Sequence, residues 1–371
     1  MANSLSALGG GGLTQDQIDE QMDKLNASGS ASLGGISLSV TKPRLNAALD
    51  LLLKAWINPA LPEREFDSLK KAGLESLDRT LTVPSAVAAK ELSFRLDNYP
   101  ADHPGKPKTF QALREELNRL TYADVKACAK DLLGLSNVSL VITGDLTKEE
   151  FISLWNDRFR SLPRAAIPYE RIPAPPVPAS INTEEIVVAM PGKPSASIAG
   201  AGLISINMRE ADFPALRLAF YALGGDGNAK SRLWQRLREK GGLSYSVSAT
   251  LSPDEFDQRT GFSISASVAS PDYEKALSAL RDVVTTAVNE GLTDEELSAA
   301  KSSWLERRKA TFSGESGYSD YVEGLIKTST SFEYLIGYDK RIADITAHEV
   351  NAAFKRYVDP KRIVWAAGVG R

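Results

Sequence analysis

The chain has 371 residues, 43% of them hydrophobic and 25% charged, with a formal net charge of -3. That length suits two or three domains, and the charge balance offers no basic face for a nucleic-acid partner. No run of about 18 apolar residues occurs, so no membrane span is expected.

The first residues, Met1 to Gly12, hold neither a basic stretch nor a long apolar core, so they do not read as a signal peptide. Thr14-Gln-Asp-Gln17 reads as a capping box that opens a helix ending near Asn26-Ala-Ser-Gly29. Ile36, Leu38 and Val40 alternate with serines, the pattern of a half-buried strand. Pro43 opens a helix with Leu45, Leu49, Leu52, Leu53 and Trp56 on one stripe, and a second helix follows Asn58-Pro59. The single cysteine, Cys128, excludes an intramolecular disulfide; on the apolar face of a helical pattern it reads as a buried, inert thiol. Residues 137 to 143 predict a strand that ends at Gly144-Asp145. Six prolines lie between Pro163 and Pro178, where neither a helix nor a central strand can run. Beyond them, strands are predicted at Ile186 to Met190 and around Phe262, Ile264, Ala266 and Val268, with a helix over 212 to 223. Further capping boxes stand at Thr147/Glu150, Thr293/Glu296 and Thr346/Glu349.

These elements predict three regions: a first domain over 1–165, a Pro-rich linker over 166–180 and a second domain over 181–371. The two domains read as copies. Asn58 to Phe66 echoes Asn289 to Leu297, and at the same spacing Lys70 meets Lys301. Later, Leu120 to Val125 echoes Ile345 to Val350. Such a repeat implies one fold used twice, with about 50 residues fewer at the start of the first copy. A shortened copy would expose sheet edge and core, and so calls for a covering partner.

Gly224-Gly-Asp-Gly-Asn-Ala-Lys-Ser-Arg-Leu233 leads into Leu237-Arg-Glu-Lys-Gly-Gly-Leu-Ser-Tyr245. Together with Asn58-Pro59, His103-Pro-Gly105, the strand end at Asp145 and Asp294-Glu-Glu-Leu297, this resembles the M16 (pitrilysin or insulinase-like) zinc peptidases across nearly all of residues 13 to 370. The resemblance implies an α+β chain of two α/β sandwich domains, the first one shortened, each an antiparallel-rich sheet with helices packed on one side.

The family's chemistry needs a His-x-x-Glu-His motif and a downstream glutamate to hold zinc with an open position. This chain has two isolated histidines, His103 in a Pro-rich turn and His348 in the first turn of a helix, both read as ordinary surface residues. Where catalytic members carry two glutamates seven residues apart, it has Leu69 and Ser76; Glu75 lies beside them but is turned about 100° around the helix. The resemblance is therefore to a non-catalytic half, with no catalytic residue, metal ligand or cofactor of its own. Zinc is expected on a catalytic partner half or subunit that carries His-x-x-Glu-His.

What the resemblance carries over is contact with an extended peptide substrate, through Arg238 and Tyr245. A guanidinium and a phenol offer donors to carbonyl oxygens without a titratable base. Read from spacing alone, they are a surface arginine near a helix C-terminus and a core tyrosine on a strand. Gly224 to Ser231 falls one residue short of a P-loop, since Ala229 stands at its second glycine, and the apolar run before it fits a helix as well as a strand. The expected function is part of a peptide-binding chamber that assists proteolysis; the alternative is a structural or interaction scaffold. A periplasmic address is slightly favoured over a cytoplasmic one by the resemblance.

Overall fold

A computed structural model describes residues 1–167, 170–225 and 228–370. The elements run α1 (Ala2–Ser6), β1 (Gly9–Gly10), β2 (Leu13–Thr14), α2 (Gln15–Lys24), β3 (Ser28–Ser32), β4 (Gly35–Ser39), α3 (Leu45–Ile57), α4 (Glu63–Thr80) and α5 (Pro84–Arg95). Next come α6 (Phe110–Arg119), α7 (Tyr122–Leu132), α8 (Lys148–Leu154), β5 (Ile186–Ala189), β6 (Ser195–Ile204), α9 (Phe213–Gly224), β7 (Ser244–Ser252) and β8 (Thr260–Ala269). The chain closes with α10 (Tyr273–Asn289), α11 (Asp294–Thr311), α12 (Glu315–Lys327), α13 (Phe332–Asp344), α14 (Ala347–Tyr357) and β9 (Val364–Val369). The fold is thus α+β, and among the described residues no helix is long and apolar enough to cross a membrane.

Two compact units form. The first comprises Met1–Leu77, Thr109–Arg171 and Tyr318–Glu323, and the second Asp78–Lys108, Ile172–Gly317 and Gly324–Arg371. The units are therefore not divided in simple chain order at the proline-rich stretch: residues 78–108 pack into the second unit.

In the first unit, β3 and β4 make an antiparallel hairpin from Ser28↔Ser39 to Ser32↔Gly35. Ile18 and Met22 of α2, the α3 stripe Leu49, Leu52, Leu53 and Trp56, and Leu154 of α8 form its larger core. The strand expected over 137–143 does not form. Val138, Leu140 and Ile142 pack against this core, but among the described residues no neighbouring strand supplies ladder bonds. A second correction concerns Cys128, which is exposed. The buried stripe of α7 runs through Val125 and Ala129, and Cys128 is turned off it by one position, about 100°.

The second unit holds a five-stranded sheet in the order β5-β9-β6-β8-β7. β5 runs parallel to β9, and the other pairings are antiparallel. One face buries Ile198, Phe262, Ile264, Val268 and Trp365 against α9, α10, α11 and α14. Helices were expected on one side only, yet α5 seals part of the other: Ala88 and Leu92 pack on Ala201, Val364 and Ala366. The small alanines there let the helix backbone come close, which a sheet face of larger residues would prevent.

Prolines lack a donor but keep their carbonyls, and those of Pro175, Pro176 and Pro178 pin the later part of the proline-rich stretch within the second unit. Asn98 Nδ2 donates to Pro176 O at 2.8 Å, and Arg259 Nη1 to Pro175 O at 3.0 Å. Arg362 Nη2 donates to Pro178 O at 2.8 Å. Pro168 lies outside the described residues.

The capping boxes read from sequence are all present, and Thr121/Asp124 adds another. The repeat has a structural counterpart: α4 and α11 each hold 18 residues, and both carry the matched lysines. Lys70 Nζ donates to Asn118 O at 2.7 Å, and Lys301 Nζ to Ala343 O at 3.1 Å, each carbonyl lying at the end of the helix that precedes a matched capping box.

Candidate peptide-contact site

The site residues sit between α9 and β7. α9 is buried on almost every side, so it is a helix where a P-loop would need a strand. Asp226 and Gly227 of the glycine-rich stretch lie outside the described residues. After it, the chain closes a wide turn over Trp234–Glu239, with the amide of Lys240 donating to Gln235 O at 3.0 Å, five residues back. Such π-type turns put an extra residue into a helical stretch and recur at functional sites. Gly242, at φ +58, then reverses the chain, and Leu243 N bonds Leu237 O at 2.8 Å. The left-handed backbone there explains the glycine.

β7 begins with a bulge. Ser244 pairs with Val268 and Ser246 with Ser267, so Tyr245 is the extra residue opposite a single step of β8. The bulge turns the phenol out of the sheet's alternation, and Tyr245 is 65% exposed. It is not the core tyrosine that spacing alone allowed. Arg238 Nη1 donates to the Tyr245 carbonyl at 3.1 Å, and the guanidinium stacks over the Trp234 ring with its carbon 4.3 Å from the centroid. The indole is itself held, since Trp234 Nε1 donates to Glu239 Oε1 at 3.1 Å. The structure therefore brings Arg238 and Tyr245 together. It also adds Trp234, which the sequence reading passed over although its place four residues before Arg238 is the spacing of a helical neighbour.

The turn is fastened to the helical layer by Arg232. Its guanidinium donates to Glu296 at 2.6 and 2.5 Å and to Gly291 O at 3.0 Å. Burial of Glu296 opposes its charge, but the bonds from Arg232 and from the Thr293 amide prevail and hold the carboxyl below its ordinary range.

The remaining candidates do not form a metal centre. His103 accepts from Gly105 N through Nδ1 at 2.9 Å and faces Pro173 O through Nε2 at 3.2 Å, so both ring nitrogens are occupied by backbone groups. It is a half-buried fastening for the proline-rich stretch, not the surface residue expected, and its ring packs on Tyr99. His348 is exposed in the first turn of α14. Both belong to the second unit. Leu69 packs in a small core with Phe66, and Ser76 and Glu75 are exposed on α4. Among the described residues, no three His, Cys, Asp or Glu side chains converge. An aliphatic group, a hydroxyl and a hydrogen-bonded imidazole do not fit zinc, which takes imidazole, thiolate and carboxylate donors in a tight tetrahedron.

Residues 119–303 match the family model described as the peptidase M16 inactive domain. Among solved structures, the chain is similar to a peptidase M16 inactive domain from Pseudomonas fluorescens, at 21% identity and TM-score 0.84, covering 100% of this chain and 87% of that one. A protease from Helicobacter pylori shows 16% identity and TM-score 0.79, over 98% of this chain and 87% of that one. The periplasmic protease PqqL from Escherichia coli shows 17% identity and TM-score 0.73, covering 100% of this chain and 40% of that one. At these identities the likeness is one of fold. No curated protein matches the chain.

Proposed function

Because the chain belongs to the M16 peptidase family, through the inactive-domain match over residues 119–303, we propose that it serves as the non-catalytic half of a zinc peptidase. In this reading it lines part of a peptide-binding chamber, and the metal chemistry belongs to a separate half or subunit carrying His-x-x-Glu-His. The observation that carries the reading is the outward phenol of Tyr245 at the bulge, with Arg238 fixed beside it. Held donors of this kind need no reorganisation when a peptide carbonyl arrives, which is where their value lies. Arg238 spends one N–H on the Tyr245 carbonyl, and its fork has further donors to offer. A periplasmic address is part of the proposal, supported by the likeness to a periplasmic protease.

The test is peptide cleavage by this chain together with an M16 chain bearing the zinc motif, read with a quenched fluorescent peptide. Arg238→Ala and Tyr245→Phe should each lower kcat/KM by at least about tenfold, the loss of roughly one hydrogen bond to a polarised group. Wild-type turnover in both variants would refute the chamber reading and favour a scaffold.

A further inference from the structure

We propose that Trp234 is a positioning residue with two tasks. It seats the Arg238 guanidinium on its ring, and its N–H holds the carboxylate of Glu239 away from that guanidinium. Arg238 thus meets a substrate as a cation that its own neighbour has not neutralised. The inference rests on the chamber reading and names what keeps the arginine available in it.

An arginine followed by a glutamate readily pairs with it. In α4 the adjacent Arg64 and Glu65 form such an ion pair, Nε to Oε1, at 3.1 Å. Arg238 and Glu239 are adjacent in the same way and both exposed, yet each has a different partner. Glu239 Oε1 accepts from Trp234 Nε1 at 3.1 Å, and Arg238 Nη1 donates to the Tyr245 carbonyl at 3.1 Å. An indole N–H is a neutral donor, so it engages the carboxylate without spending a cation. A carbonyl likewise takes one N–H of Arg238 and leaves its charge intact. Glu239 is the one acidic residue in the stretch 234–240, where Arg236 and Lys240 are also exposed.

The wide turn makes this partner exchange possible. Residues five apart on an α-helix point about 140° away from each other, which would part the indole from Glu239. Over Trp234–Glu239 the turn is π-type, closed by Lys240 N on Gln235 O, and its extra residue swings position 239 back towards position 234. Arg238, four residues after Trp234, already shares its face. The guanidinium carbon lies 4.3 Å from the indole centroid, well inside the limit of about 6 Å for a cation–π contact. One ring therefore serves both neighbours, through its face and through its N–H.

The two tasks separate in Trp234→Phe, which keeps a ring face and loses the donor. Cleavage of a quenched fluorescent peptide is measured with the full chain and its zinc-bearing M16 partner, and thermal unfolding is followed in every variant. Trp234→Phe should lower kcat/KM about threefold, the size of one exposed ion pair closing on Arg238. Adding Glu239→Gln should restore the wild-type value, a rescue that a merely structural role of the indole does not provide. Trp234→Leu, which loses both tasks, should lower kcat/KM about tenfold, with only part regained on adding Glu239→Gln. In an Arg238→Ala background, Trp234→Phe and Glu239→Gln should have no further effect, because both act through the arginine. Should Trp234→Phe fail to fold, benzothienylalanine at position 234 keeps the shape of the indole, lacks its N–H and reads the same release. A wild-type rate without the N–H, a loss that Glu239→Gln does not rescue, or a further loss in the Arg238→Ala background overturns the inference. If Arg238→Ala slows cleavage while removal of the N–H does not, only this inference falls. If Arg238→Ala cleaves as wild type, the chamber reading falls with it.

Discussion

Replacing Arg232 probes how the site-bearing turn is anchored. Its side chain is 17% exposed and that of Glu296 21%, so the pair is mostly out of water. An exposed ion pair is worth about 0.2–1 kcal/mol, whereas breaking a buried one costs about 3–5 kcal/mol. Intermediate burial, with a third bond to Gly291 O, places Arg232→Met near 2 kcal/mol. Glu296→Gln keeps an acceptor for the capping box and should cost about 1 kcal/mol. A double-mutant cycle by urea and thermal unfolding should give a coupling energy of about 1 kcal/mol. For a unit of this size Arg232→Met lowers the Tm by about 4–8 °C. A coupling within about 0.3 kcal/mol of zero would refute the anchoring argument, since that is the noise of independent sites. The pH dependence follows from the same contacts. The Glu296 carboxyl is depressed in the folded state, so its contribution is complete above its unfolded value of about 4.3 and is lost as pH falls through the folded one. The stability gap between wild type and Glu296→Gln should therefore be widest above about pH 5 and close on acidification.

Other outcomes can be checked directly. Native protein should react with a maleimide at Cys128 as fast as unfolded protein does, because the thiol is exposed; protection in the native state would contradict its placement. Gly200→Val should cost about 3 kcal/mol or block folding, as even a Cβ there would meet the Trp365 ring at 2.7 Å. An unchanged unfolding midpoint would show that the ring is not seated on Gly200. His103→Ala should cost about 1–2 kcal/mol through two lost backbone contacts, measured by thermal unfolding. A loss of less than about 0.3 kcal/mol would mean that the histidine fastens nothing.

Local order was written in the residues themselves. A threonine three residues before a glutamine or glutamate satisfies two helix-end amides within one turn, so the capping boxes at Thr14, Thr147, Thr293 and Thr346 form wherever the helix packs. The match of Lys70 with Lys301 was equally legible, because the same helical face in both copies must reach the same carbonyl.

Tertiary structure decided what depends on distant segments. Residues 137–143 read as a strand and still make no ladder among the described residues, because pairing needs a neighbour that local sequence does not specify. Cys128 left the apolar stripe through one helical step, which is finer than a pattern of similar residues can resolve. The docking of α5 on the second sheet face, and with it the assignment of residues 78–108 to the second unit, comes from alanines on β6 and β9 lying more than a hundred residues away. Tyr245 was a candidate from its motif, but only the bulge against β8 turned it outward. A side chain's identity is local, whereas its direction depends on the strand beside it.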